Sequence, residues 1–244
     1  MAVSPASPPL AQPAEVRLPA LVWLGIPLVC WLAPYAGKAL GDDFYERWVR
    51  TEFGFVEMAT NVALAFAVGF GLLATVRAPR SGLRWLRPAY ALLTLGCVYF
   101  LGEEVSWLDH VVQWQGADSL RAHNDQGETN LHNLPGLAGQ LLDQLPRALL
   151  TLGALVGGVI LPLLVRARPE RMPRLWGYGP WTVPGIACLP SAALALVASK
   201  LVKLTRDAAP WLDIRGGESK ELMLALLLAL YLCERARQLR APPR

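Results

Sequence analysis

The sequence predicts an all-α fold, a polytopic bundle of about six transmembrane helices. Three observations predict it. Apolar residues make up 54% of the 244 and charged residues only 17%, where a water-soluble domain carries about 25% charged residues. Leu, Ala and Val gather in long runs instead of alternating with charges. Arginines flank these runs, so the pI near 9.0 reflects membrane borders and not a nucleic-acid-binding face. A mean hydropathy of +0.34 likewise excludes a disordered chain and a small disulfide scaffold.

A helix needs about 20 mostly apolar residues to cross the hydrocarbon layer. Residues 1–17 are rich in Pro, Ala and Ser and read as a disordered N-terminal segment. The first span covers 18–37. Its apolar run is too long for a signal peptide, only Arg17 precedes it, and no small-residue cleavage site follows, so it reads as retained. The second span, 54–76, is apolar except for Glu57 in its first turn. The third, 86–108, is apolar from Pro88 to Gly102 and then meets Glu103 and Glu104. A long polar loop over 109–147 follows. The fourth span is 148–165. The fifth is 176–199, where Pro184 and Pro190 predict a kink whose freed carbonyls neighbouring helices satisfy. The sixth, 218–234, has twelve uninterrupted apolar residues, Leu222 to Cys233, and needs its polar first turn to span. A basic tail, 235–244, closes the chain.

Loop charges set the orientation. The N-terminal segment, the loops after the second and fourth spans, and the tail together hold thirteen basic and three acidic residues. The remaining three loops hold ten basic and thirteen acidic. Both termini are therefore expected in the cytoplasm, in a cell inner (plasma) membrane. Cys30, Cys97, Cys188 and Cys233 all fall in spans at no metal or redox spacing, and read as packing residues.

Ionisable residues in a span cost about 2.5–3.5 kcal/mol at the helix centre, so Glu57, Glu103 and Glu104 call for a reason. With Glu218 and Glu221, which open the sixth span, they fall at helix ends on the non-cytoplasmic side. The loop 109–147 lies there too and carries every histidine: His110, His123 and His132. Glu57 and Asn61 stack at i,i+4, and Glu103, Ser106 and His110 share a face if the helix continues. Glu128 and His132 are also i,i+4. Glu with His four residues on, joined by carboxylates from neighbouring helices, suits a Zn, Mn or Fe site. Structural readings stand beside these. Glu57, Glu218 and Glu221 can complement helix dipoles, and Asp118, His123 and Asp125 can be solvated loop residues. Glu103 and Glu104 resist such a reading, because a helix C-terminus disfavours acids.

At GlyGluGluValSerTrp (102–107) and AsnAspGlnGlyGluThrAsnLeuHisAsn (124–133), the chain resembles a family of uncharacterised bacterial multi-pass membrane proteins with GEEISWGQ and N-x-Q-x-E-x-NLHN motifs. The resemblance implies a shared site over Glu57, Glu103, Glu104, Ser106, Trp107, Asn124, Gln126, Glu128, Asn130, His132 and Asn133. Leu108-Asp109 stands where that pattern has Gly-Gln. A partial second resemblance is to the alkaline ceramidases, membrane zinc amidases. It rests on Glu57 to Asn61, Ser106-Trp-Leu-Asp-His110 and Gln140-Leu-Leu-Asp-Gln-Leu145, in that order. Their H-x-x-x-H is absent, and Glu218 and Glu221 occupy the last helix instead.

The expected function is therefore a metal-dependent membrane hydrolase or lipid-modifying enzyme, amidase-like, with membrane lipids around it and a lipid or amphiphilic substrate. Glu57, Glu104, His110, Glu128, His132 and Glu221 are the candidate metal ligands. Glu103 or Glu104 is the candidate base, with Ser106 and Asn130 polarising the substrate. Several carboxylates in one low-dielectric pocket require counter-charge; Arg121 and Lys220 are the nearest cations in sequence, which points to a metal as the partner. Alternatives are a transporter or ion-binding subunit, or a non-catalytic membrane assembly protein. No nucleic-acid partner is expected.

Overall fold

The structure is a computed structural model that describes residues 16–51, 53–105, 136–168, 179–209, 211, 213–214 and 216–240. Among the described residues the chain is helical, without strands. Helix α1 is Leu21–Ala39, with a π-wound first turn. Helix α2, Asp42–Trp48, is short and leads to α3, Phe55–Arg77, which a 3-10 turn, Ala78–Ser81, prolongs. Helix α4 is Leu86–Glu104. Helix α5, Gly136–Gly153, runs through a π segment, Ala154–Ile160, into α6, Leu161–Ala167. One turn, α7, covers Gly179–Thr182. Helix α8 is Leu189–Ala208 and α9 is Gly216–Gln238.

Helix α9 is the pillar of the bundle. Leu222, Met223, Leu224 and Ala225 are buried in succession, so it is enclosed on every side and not along one stripe. Its largest interface is with α3; α4 packs on α3, and α8 packs on α9. Small residues set the close approaches. A Cβ at Gly71 of α3 would run into Thr94 of α4, and one at Gly158 into Ala192 of α8.

The outer surface is apolar where a water-soluble protein would be charged. Val29 and Leu32 on α1, Val62 and Phe66 on α3, and Leu92 and Leu95 on α4 all point outward. Leu149 and Leu152 on α5 do the same. A continuous apolar exterior over several helices marks contact with membrane or with other protein. Among the described residues, three helices are long and apolar enough to cross a membrane: Leu21–Ala39, Phe55–Ser81 and Gln144–Ala167. The bent pair Ile186–Ala198 and Lys200–Ala208 makes a fourth if read as one span.

Helices α4 and α9, the third and sixth expected spans, fall outside that group for different reasons. Helix α4 carries Arg87, Glu103 and Glu104 at its ends. Helix α9 has charges on both flanks of a short apolar run, and burial by its neighbours replaces the hydropathy it lacks. The expected kink also sits elsewhere. Pro190 occupies the first turn of α8, where its missing N–H costs nothing, and Pro184 lies in the connection before it. The bend is 55° and falls between Ala198 and Lys200. The fourth helix starts at Gly136, so the final part of the expected loop, 136–147, is helical. The last helix continues past 234 to Gln238, taking in the first residues of the expected tail.

Candidate functional site at the acidic end

The antiparallel packing of α3 on α4 brings the start of one beside the end of the other. Helix α9 runs parallel to α3, so its first turns reach the same end. This topology gathers Glu57 of α3, Glu103 and Glu104 of α4, and Glu218 and Glu221 of α9. The charges acting on the Glu104 carboxyl are those of Glu221 first, then Glu57, Arg147 and Glu218. Glu103 is buried, at 7% exposure. Arg147 arrives from α5, with its Nη2 3.4 Å from Oε1 of Glu221. Arg147 is a cation that sequence proximity does not point to, unlike Lys220 and Arg121, the latter outside the described residues. Its position one residue before the fourth expected span is the available signal. Arg147 supplies part of the counter-charge expected from a metal.

Asn61 lies one turn beyond Glu57 on α3. Its Oδ1 is buried and has no hydrogen-bond partner among the described residues.

A cavity of about 670 Å³ runs between α4, α5 and α9. Its walls are apolar: Leu92, Leu93 and Phe100 from α4, Leu149 from α5, and Leu224 and Leu228 from α9. Glu103, Glu104, Arg147 and Glu221 close one end. An apolar slot with charges confined to one pole has the polarity of an amphiphile.

Of the expected site residues, the structure brings together Glu57, Glu103, Glu104 and Glu221. Ser106, His110, Glu128, Asn130 and His132 lie outside the described residues, as do Trp107, Asn124, Gln126 and Asn133. Among the described residues, no group of three or more His, Cys, Asp or Glu side chains is arranged to hold a metal ion. Glu57, Glu104 and Glu221 thus share a neighbourhood but not a ligand shell of their own.

The opposite end carries a polar cluster whose Glu234 and Arg235 read in the sequence as tail charges. Glu234 and Arg235 are each buried, at 4% exposure. The Gly185 N–H donates to Oε2 of Glu234 at 2.9 Å, and Arg235 Nη2 lies 3.5 Å from the same oxygen. The Tyr231 hydroxyl donates to the Thr182 carbonyl at 3.0 Å, and the Tyr90 hydroxyl to that of Trp181. Arg77 donates to the Ala236 carbonyl at 2.7 Å. These bonds tie α4 and the end of α9 to the segment 181–185, and the end of α3 to that of α9. The signal in the sequence was Glu234 next to Arg235 directly after an apolar run, one helical turn from Tyr231.

No family model, curated protein or solved structure matches this chain.

Proposed function

We propose that the chain is a six-helix protein of a bacterial inner membrane, with both termini cytoplasmic. On this reading the acidic end is the non-cytoplasmic catalytic centre of a metal-dependent, amidase-like hydrolase or lipid-modifying enzyme. The observation that carries the proposal is the apolar cavity between α4, α5 and α9 closed at one pole by Glu103, Glu104, Glu221 and Arg147. A substrate chain lies in the slot and its polar head reaches the carboxylates. On this reading Glu57, Glu104 and Glu221, with His110, Glu128 and His132, would hold a Zn, Mn or Fe ion, which when bound would supply an activated water. Glu103 or Glu104 would serve as the base, and Ser106 and Asn130 would polarise the scissile group. The likeness to the bacterial multi-pass family and, in part, to the alkaline ceramidases supports placing these residues in one site.

The cation-transport reading is weaker on geometry. The polar ends of α9 are separated by Leu222 to Cys233, about 18 Å of helix without an ionisable carboxylate or amine.

The test strips the purified protein with chelator, restores Zn, Mn or Fe singly, and follows metal stoichiometry, thermal unfolding and hydrolysis of a panel of lipid amides and esters. One ion per chain, a raised melting temperature and metal-dependent turnover are expected, since a ligand bound only by the folded state stabilises it. Absence of binding, with equal stability after chelation, refutes the metal centre. A C-terminal reporter active outside the cytoplasm refutes the orientation.

A further inference from the structure

We propose that the arginine-rich end of the bundle is a docking surface for anionic phospholipids, whose phosphates it holds in guanidinium forks. The inference rests on the membrane reading proposed above and is independent of the metal site. All thirteen basic residues of the N-terminal segment, the loops after the second and fourth spans and the tail are arginine. The four lysines, Lys38, Lys200, Lys203 and Lys220, all fall in the other loops. Either cation satisfies the orientation rule, so orientation does not explain the choice. The two differ toward phosphate. A guanidinium donates two parallel N–H bonds to it, where an ammonium acts as a point charge.

The fold collects these arginines on a fixed platform. Ala78, Leu83 and Leu86, from the turn between α3 and α4, pack in one buried cluster with Ala236 and Leu239 of α9. The turn is built: the Ser81 hydroxyl donates to the Ala78 carbonyl at 2.7 Å and accepts the Leu83 N–H at 3.1 Å. Gly82 between them takes the left-handed φ of 75° that the reversal needs. Arg80, Arg84, Arg87, Arg237 and Arg240 alternate with the buried anchors and are exposed, so they surround one patch. None of the five makes an ion pair or side-chain hydrogen bond with any residue. The acid described at this end, Glu234, is buried and already engaged by the Gly185 N–H and Arg235.

The order of surface chemistry selects a lipid among phosphate bearers. On α3, exposed Leu72 and Val76 lead to Arg80, and on α4, exposed Leu95 and Leu92 lead back to Arg87. On α6, exposed Leu163 and Leu164 lead to exposed Arg166 and Arg168. Apolar surface ending in guanidinium, on three helices, matches hydrocarbon chain ending in phosphate. Trp85 is exposed on the same turn, where an aromatic ring suits the headgroup level. A nucleic acid or a free phosphate meets the arginines and has nothing to set against the apolar surface beside them.

The experiment measures dissociation constants of phosphatidylglycerol and phosphatidylcholine for the full chain in neutral detergent, by native mass spectrometry, with thermal unfolding alongside. Phosphatidylglycerol is expected to bind at least about tenfold more tightly, and each of Arg84→Gln, Arg87→Gln and Arg240→Gln to weaken it about fivefold. The triple variant Arg84→Lys, Arg87→Lys, Arg240→Lys keeps the charge and should still lose about tenfold or more, because the forks are gone. Melting temperatures hold, since these side chains are exposed. Arg47→Gln and Lys203→Gln, at the other end, leave the affinity unchanged. Equal affinity for the two lipids, native affinity in the lysine variant, or an equal loss in Arg47→Gln overturns the proposal. So does single-stranded RNA of equal phosphate count binding more tightly than the lipid, or an equal concentration of inorganic phosphate displacing it. A chain that fails to enter phosphatidylcholine bilayers refutes the membrane reading; one that enters them and shows no headgroup preference refutes this inference alone.

Discussion

The two ends of α9 use the same kinds of side chain for opposite purposes. At one end Glu234 is met by the Gly185 N–H and by Arg235, and the backbone of a neighbouring segment leaves no room around it. At the other, Glu221 meets Arg147, whose side chain is 55% exposed, beside a cavity large enough for a ligand. A buried carboxylate surrounded by fixed donors is a lock. A carboxylate at the mouth of a void, among others of its own charge, can act on something that enters. Burial alone does not separate the two, since Glu103 and Glu234 are both buried. The space beside the charge does.

Removing each end in turn sharpens this contrast. Glu234→Ala leaves Arg235 buried without its carboxylate and is expected to cost about 3–5 kcal/mol, read as a large fall in melting temperature of the purified protein. A stable Glu234→Ala protein would break the comparison. Glu104→Gln should do the opposite: turnover falls by about 10²-fold or more, while the melting temperature holds or rises because like charges are thinned. A loss of stability equal to that of Glu234→Ala would place Glu104 in the architecture and not the site.

Two smaller effects test the packing behind each pole. At Gly185 an added Cβ falls on the Glu234 carboxylate, so Gly185→Ala is expected to cost about 1–3 kcal/mol. The same loss should vanish in a Glu234→Ala background, a double-mutant cycle that isolates this one contact. Arg147→Ala removes a partly exposed ion pair with Glu221, worth about 1 kcal/mol. Its melting temperature should fall by only a few degrees.

The sequence made α1 legible to within three residues and α3 to within one, because each is a long apolar run between polar borders. It also placed Glu57, Glu103, Glu104 and Glu221 at one end, since helix direction and loop charge suffice for that. Three features were not legible. Gln140, Asp143 and Gln144 read as loop because their polarity masks a helix that begins at Gly136. Pro184 and Pro190 suggested a kink within one span, but proline at a helix start relieves its own missing bond, and the bend lies after Ala198. Arg235 read as a tail charge, because a run of arginines looks solvent-facing until Glu234 and Tyr231 are seen to enclose one member of it.

One consequence follows from α9 being enclosed. It is the last of the described helices to leave the ribosome, yet α3 and α8 find their principal packing surface on it. Leu222 to Cys233 is short for stable insertion alone, and Glu218, Glu221, Glu234 and Arg235 bracket it with charge. Among the described helices, α9 is therefore the one whose loss leaves α3 and α8 without their principal packing partner, so a chain cut before Gly216 is expected to keep its apolar helices and lose the core they pack around.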